Sequence, residues 1–457
     1  MTLPHDFDND PEFDPEDGSE WFNPPDGAAA NDVADIDSSA VQLALLADGS
    51  ALRLTGPGAG SAVAAQPAAS EVMAARLLSR DEALSGRAPL LLIHHAGGSE
   101  AFPRLMAGIV AATGGRVPLG AVTPLPRSTA VSSARWLADC AAASVQIADP
   151  AGFKLDTTVV PGTSPSPRSL GWWGYLGVDP MVPADVLDAQ RQVGANLLLS
   201  PGRAVDPADA QASLDRAFAE ADQALAALQP GERLALNLTL PRTWLTRPVL
   251  RDQLLAQLLD QDQFDVWYIR VQWPSSLRAT EQPADVALLE GYKRLAQLAA
   301  DEERSLLLPQ TGITGWLQLA FGATGFGSGL PGSDQAFKEP IGGGGGAVAI
   351  ERYFEPTLLH AVERTVHDTL RRRPGYVPCS CPYCPALHNA ADWRPDLARL
   401  HQLHWTGRLT GDAATSARGG AGGAVRRAVR AAVAAAAAEP LAGPSDPKHL
   451  PAWDRLL

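Results

Sequence analysis

The sequence predicts an α/β chain: a (β/α)8 barrel of the TIM type, followed by a C-terminal Cys3His metal-binding subdomain and preceded by a disordered acidic tail. Three observations carry this expectation. Eight short apolar runs alternate with longer helical patterns from about residue 80 onward. Three of the four cysteines fall within six residues, Cys379-Ser380-Cys381-Pro382-Tyr383-Cys384, with histidines downstream. Twelve of the 51 acidic residues crowd into positions 1–37, which hold no Lys or Arg.

The tail comes first in the chain. Its Asp, Pro, Gly and Asn content cannot bury enough apolar surface to order it, so it reads as a solubilising leader. A mimic that occupies a basic nucleic-acid groove is the sharper alternative. Without the tail the formal charge falls from −14 to about −2. The body is therefore nearly neutral and has little electrostatic drive toward a polyanion. An Ala/Gly/Ser-rich stretch with a candidate hairpin, 41–46 and 51–54 around Asp48-Gly49, completes a leader assigned to 1–80. No secretory signal is visible, and no apolar run approaches the roughly 20 residues that cross a bilayer. A cytoplasmic protein that does not enter the membrane is expected.

The barrel is assigned to 81–375. Its candidate strands are 89–94, 117–122, 144–148, 195–199, 233–240, 266–272, 305–308 and 319–325. They are continuous rather than alternating apolar runs, as befits parallel strands buried on both faces. Amphipathic helices such as 209–228 and 285–303 lie between them, which implies βαβ units. Eight such units fit a barrel of roughly 250 residues, with chemistry at the C-terminal ends of the strands. A doubly wound open sheet is the alternative. The five-glycine run Gly342–Gly346 reads as a flexible loop.

The segment 376–410 carries the cysteines. Zinc is usually held by four Cys or His ligands in a tetrahedron, and a closed four-ligand site is structural. Cys379, Cys381 and Cys384 supply three thiolates. His401 and His404, three apart on a helix and facing similarly, compete for the fourth place; His388 is too near the cysteine loop. One structural zinc ion is expected. Four cysteines in 457 residues are too sparse for a disulfide framework. Residues 411–457 read as an Ala/Gly-rich linker, 411–423, and an Ala-rich helix, 424–439.

A carboxylate stands at the end of the third candidate strand, in Asp149-Pro150-Ala151-Gly152-Phe153-Lys154. An Asp at this barrel face can serve as general acid or base, although turn capping is a common job for Asp. Phe153 offers a flat face to a heterocycle. Lesser signals are Gly325-Phe326-Gly327-Ser328-Gly329, which resembles a phosphate-cradling loop; His94-His95, read as core or turn histidines; Trp172-Trp173, placed over the barrel mouth; and Arg371-Arg372-Arg373, read as a solvated helix end.

Three motifs in family order, and a shorter fourth around His401, resemble those of the tRNA-guanine transglycosylases over about residues 117–410. The cysteine cluster is similar to that family's Cys-x-Cys-x-x-Cys, Leu400-His401-Gln402-Leu403 to its Leu-His-Asn-Leu, Asp149–Lys154 to its Asp-Ser-Gly-Gly-Phe-Gln, and Ile269–Trp273 to its Gly-Ile-Val-Gln-Gly. The resemblance implies exchange of a guanine for a 7-deazaguanine base in tRNA or DNA through a covalent sugar–enzyme intermediate. It implies Asp149 as acid/base, Phe153 stacking on the base and Gln272 bonding its edge. The family's nucleophilic Asp has no good copy here; Asp334 stands at about the right place, in a Gly/Pro-rich turn. Pro150-Ala151, Lys154 and Trp273-Pro274 depart from the pattern, and the Trp273 indole is expected to fill a purine pocket. The alternative function is an inactive, zinc-stabilised barrel that binds nucleic acid or protein in a modification or defence system. Candidate partners are tRNA or DNA, a purine or 7-deazapurine base, and a second copy of the chain.

Overall fold

The computed structural model describes residues 77–95, 101–127, 129–160, 181–277, 281–329, 335–339, 351–390, 392–416 and 420–457. The acidic tail, the hairpin expected at 41–54, Trp172-Trp173, Asp334 and the five-glycine run lie outside them. Eight parallel strands form one sheet: β1 (Leu90–His94), β2 (Leu119–Pro124), β3 (Val145–Asp149), β4 (Leu198–Leu199), β5 (Leu234–Pro241), β6 (Val266–Gln272), β7 (Ser305–Leu308) and β8 (Gly325–Gly329). Their order, β3-β2-β1-β8-β7-β6-β5-β4, is that of a ring cut once. A doubly wound sheet reverses its strand order at a switch point; here chain order runs round the ring without reversal.

The cut between β3 and β4 is bridged by a side chain. The Asn196 and Leu197 backbone N–H groups donate to the Gln146 carbonyl at 2.9 and 3.2 Å. Gln146 N–H donates to Asn196 Oδ1 at 2.7 Å, and Asn196 Nδ2 donates to the Ser144 carbonyl at 3.1 Å. The Asn196 side-chain amide thus adds two hydrogen bonds to the two main-chain ones across the cut, and the barrel is nearly closed.

Seven expected strands overlap the observed ones; the eighth is displaced. Leu319–Phe321 is a 3-10 turn, ended by Gly322 at φ 107°, and β8 is the glycine-rich Gly325–Gly329 read above as a phosphate loop. Glycine is depleted in strands because it has no side chain to pack, which hid this one. The absent side chains are the point: a Cβ on Gly325 would lie 2.7 Å from the Leu90 carbonyl oxygen, and one on Gly327 would lie 2.4 Å from His94 Nε2. Inward-facing Leu90, Leu92, Val122, Val145, Ile147, Leu197, Leu199, Val266, Tyr268 and Leu307 fill the barrel. Its N-terminal end is plugged by Ala83 and Leu84 of α1 (Arg80–Leu84). A capping box starts that helix: Ser79 Oγ accepts from Glu82 N–H, and the Glu82 carboxylate accepts from Ser79 N–H.

Helices α2 (Ala101–Thr113), α3 (Ala130–Asp139), α4 (Pro183–Gln192), α5 (Ala210–Ala226), α6 (Pro248–Leu259), α7 (Val286–Asp301) and α8 (Gly312–Gln318) follow the first seven strands in turn. After β8 come an antiparallel hairpin, β9 (Arg352–Glu355) with β10 (His360–Glu363), then α9 (Arg364–Arg371) and α10 (Cys384–Asn389). The barrel's eighth wall helix is α11 (Pro395–Thr415), which packs between α8 and α2 and against β1. Gly407 and Gly411 let it approach α2 closely: a Cβ would fall 2.7 Å from Ile109 Cγ2 and 2.9 Å from Thr113 Cγ2 respectively. Trp316 Nε1 of α8 donates to the Leu409 carbonyl at 3.1 Å. The boundary expected at 375/376 therefore does not separate barrel from metal segment, since the helix carrying His401 is a barrel helix. The linker expected at 411–423 is likewise corrected. Its described residues belong almost wholly to α11 and to α12 (Gly420–Ala438), and Gly411 serves close packing against Thr113 rather than flexibility.

Beyond the ring, α12 packs on α11, and α13 (Leu450–Leu456) packs on α7 and α12. Two buried histidines sit at this junction. His360 Nε2 lies 3.0 Å from the Pro444 carbonyl, and the His449 ring lies 5.5 Å from that of His360 and edge-on to Trp453. Burial lowers both pKa values from 6.5. The unfolded chain therefore takes up protons that the folded one refuses. The contribution of these two histidines to stability is flat above pH 6.5 and falls as pH drops through it. Urea midpoints between pH 7.5 and 5 should show this decline, and His449→Gln should flatten it; a decline unchanged in the variant would remove the histidine explanation. Among the described residues no helix is long and apolar enough to cross a membrane.

Candidate functional site

Cys379, Cys381, Cys384 and His401 present one ligand atom each, all within 4.8 Å of one another. His401 Nδ1 lies 3.2 Å from Cys381 Sγ, 3.3 Å from Cys384 Sγ and 3.8 Å from Cys379 Sγ, and the latter two's neighbour Cys381 Sγ is 3.4 Å from Cys384 Sγ. A tetrahedron with metal–sulfur bonds of about 2.3 Å and a metal–nitrogen bond of about 2.0 Å has edges of roughly 3.5–3.8 Å, so the four atoms could hold one metal ion.

The surroundings orient the ligands. His401 Nε2–H donates to the Phe354 carbonyl of β9 at 2.8 Å, which fixes the tautomer and turns the Nδ1 lone pair to the sulfurs. The Tyr353 ring stacks on His401 at 4.3 Å. Burial above all raises the Tyr353 pKa, so its hydroxyl keeps its proton, and it lies 3.2 Å from Cys384 Sγ. Trp405 Nε1 and Cys381 N–H donate to Cys379 Sγ at 3.0 and 3.3 Å. Hydrogen bonds from the Cys381 and Cys384 thiols hold Cys379 well below the usual thiol range. Burial opposes protonation of His401, but hydrogen bonds to Cys379 and Cys381 outweigh it and raise its pKa to about 9. Metal uptake would displace that proton.

His404, the other candidate fourth ligand, is not in the group. It is buried with its ring edge-on to Tyr383 at 6.1 Å, and burial lowers its pKa to about 4. Position i+3 on α11 rotates it past the cysteine loop. His388 stacks on His367 at 5.2 Å. Cys140 is buried far from the cluster, and burial pushes its thiol up to about 12. No sequence signal had singled out Tyr353 or Trp405, which contact the sulfurs from elements distant in sequence.

At the C-terminal end of the barrel, Asp149, Phe153 and Gln272 all reach the mouth. Asp149 terminates β3, is 4% exposed, and accepts Ala151 N–H at 2.9 Å. Ala151 is left-handed (φ 49°), which turns the chain at once into the 3-10 segment carrying Phe153. The decisive neighbour is Arg270. Its guanidinium forms an ion pair with Asp149 and donates to Gln310 Oε1 at 2.8 Å and Thr239 Oγ1 at 3.2 Å. It also lies over the rings of Phe153 at 4.8 Å and Phe337 at 5.6 Å, a cation–π arrangement. Phe337 packs edge-on to Phe153 at 5.1 Å, and Tyr268 O–H faces Asp149 at 3.5 Å. The segment 335–339 is laced to the strand ends through Trp273 N–H to Phe337 O and Phe337 N–H to Gln310 O, at 2.8 and 3.1 Å.

Gln272 is 2% exposed and its Nε2 has no hydrogen-bond partner among the described residues; the same holds for Oδ1 of Asn237, also 2% exposed. Trp273 does not fill the mouth. One residue beyond Gln272, it points to the opposite face of the strand, where its Nε1 donates to Tyr292 of α7 at 2.9 Å. Arg270 was overlooked in the sequence, yet its signal is there: the inward set of β6 is Val266, Tyr268, Arg270 and Gln272, and a lone charge on the inner face of a barrel strand needs a partner. His94 and His95 are buried, the latter 4.7 Å from Trp136. No protein-family model and no curated protein matches the chain.

Proposed function

We propose that this protein is a zinc-stabilised barrel that acts on a purine glycosidic bond in nucleic acid, in the manner of the tRNA-guanine transglycosylases. The observation that supports it is the convergence of Asp149, Phe153 and Gln272 at one barrel mouth. Zinc suits a donor set of three thiolates and one imidazole. All four positions are filled by protein, so the ion ties β9, the cysteine loop and α11 together and takes no part in the chemistry.

In this reading the base stacks on Phe153. Gln272 Nε2, without a partner in the structure, donates to a carbonyl oxygen of the base. Asp149 accepts hydrogen bonds from its N–H edge and moves a proton as the glycosidic bond breaks. A carboxylate must hold the sugar carbon in between, and Asp334 is the candidate, outside the described residues. Exchange of radiolabelled guanine into tRNA or DNA tests this: wild type should incorporate label and Asp149→Asn should lose at least 100-fold, about the contribution of a general acid or base. Label incorporation that survives Asp149→Asn undiminished would end the assignment. The ion pair between Asp149 and Arg270 favours a second reading, a barrel that binds its ligand without turnover. Wild type that binds but never exchanges would select it.

A further inference from the structure

We propose that Arg270 is a latch on the barrel mouth, and that the mouth admits a base only when the same ligand brings an anion for Arg270 to hold. This rests on the reading of the mouth as a purine site and concerns what opens it. The flat, donor-rich guanidinium lies on the Phe153 ring and forms hydrogen bonds with Asp149. It therefore covers the ring face and the carboxylate that a stacked purine would use. The two occupants exclude each other.

Arg270 cannot simply step aside. It is 1% exposed, and its counterion is Asp149. Moving it without a new anion would strand two buried charges. A nucleotide phosphate supplies that anion in the planar, bidentate geometry a guanidinium favours. The exchange frees the Asp149 carboxylate for the N–H edge of the base. Gln272 Nε2 and Asn237 Oδ1, buried on the inner faces of β6 and β5 and without a hydrogen-bond partner among the described residues, offer a donor and an acceptor to such a ligand. Free purines lack the anion and are kept out until a bound nucleotide phosphate holds Arg270, so an unattached base cannot jam the empty site.

Equilibrium dialysis with radiolabelled guanine and guanosine 5′-monophosphate tests the latch. Wild type should bind the monophosphate at least tenfold more tightly than the free base. Arg270→Gln, checked for folding by circular dichroism, should gain guanine binding about tenfold and lose the preference. If the single variant does not fold, Asp149→Asn with Arg270→Gln removes both charges together, and the wild-type comparison stands without either. Equal affinity of wild type for guanine and its monophosphate, or an Arg270→Gln variant that binds guanine no better, overturns the latch while leaving the purine site standing. Absence of binding to either ligand by every form overturns both.

Discussion

Cys381→Ser should release the metal and cost the protein on the order of 5 kcal/mol, enough to unfold much of it at 37 °C. The reasoning starts from the ligands. Serine cannot offer a thiolate, and structural zinc in small domains contributes apparent binding energies of about 10–16 kcal/mol, against total stabilities of about 5–15 kcal/mol for ordinary domains. Only part of that reaches the whole fold, because α11 is also held by packing against α2 and α8. Loss should nevertheless spread from the cysteine loop into the barrel wall, since His401 sits on the eighth barrel helix and bonds the Phe354 carbonyl of β9. Elemental analysis should give one zinc per chain in wild type and in Cys140→Ser, and none in Cys381→Ser. A Cys381→Ser protein that keeps its metal, or that loses it with an unchanged melting temperature, would show that the cluster does not staple the barrel.

The second large effect concerns Arg270. Arg270→Ala should destabilise the protein by about 3–5 kcal/mol, the usual consequence of leaving one buried charge without its partner. Asp149 is 4% exposed, and its remaining hydrogen bonds, from Ala151 N–H and Tyr268, do not replace a counterion. The double variant Asp149→Asn with Arg270→Met should be far milder, because a neutral pair of similar volume restores the balance that each single change breaks. Urea midpoints of the two singles and the double measure the coupling. Additive effects would mean that the two side chains do not depend on each other, and the latch would then have nothing holding it shut.

The parts of this fold that were legible in the sequence are those in which local pattern and tertiary role agree. Val266–Gln272 and Ser305–Leu308 are mainly apolar runs and emerge as β6 and β7 with those bounds. Asp285 caps α7 by accepting Ala287 and Leu288 N–H, as its place before an amphipathic run implies. The three cysteines were readable from spacing alone, whereas spacing left His401 and His404 competing for the fourth place. What was hidden depends on contacts between distant segments. β8 was masked because its glycines answer to Leu90 and His94 across the barrel. Gly411 reads as linker because nothing local reveals that Thr113 presses against it. Arg270 was passed over because a strand's inner face can be assigned only once the ring is closed, and its partner Asp149 lies 121 residues earlier.

The placement of α11 has a consequence for biosynthesis. The flank of β1 and α2 is among the first parts of the barrel to leave the ribosome, but the helix that covers it is made about 300 residues later. Until then Ile109, Thr113 and Val117 face water or a chaperone, and the chain is exposed to misassembly in the manner of other slow, non-local folds. A transcript cut short before codon 395 would yield a ring with one stave missing, and such fragments should be cleared by proteases rather than accumulate as smaller working proteins.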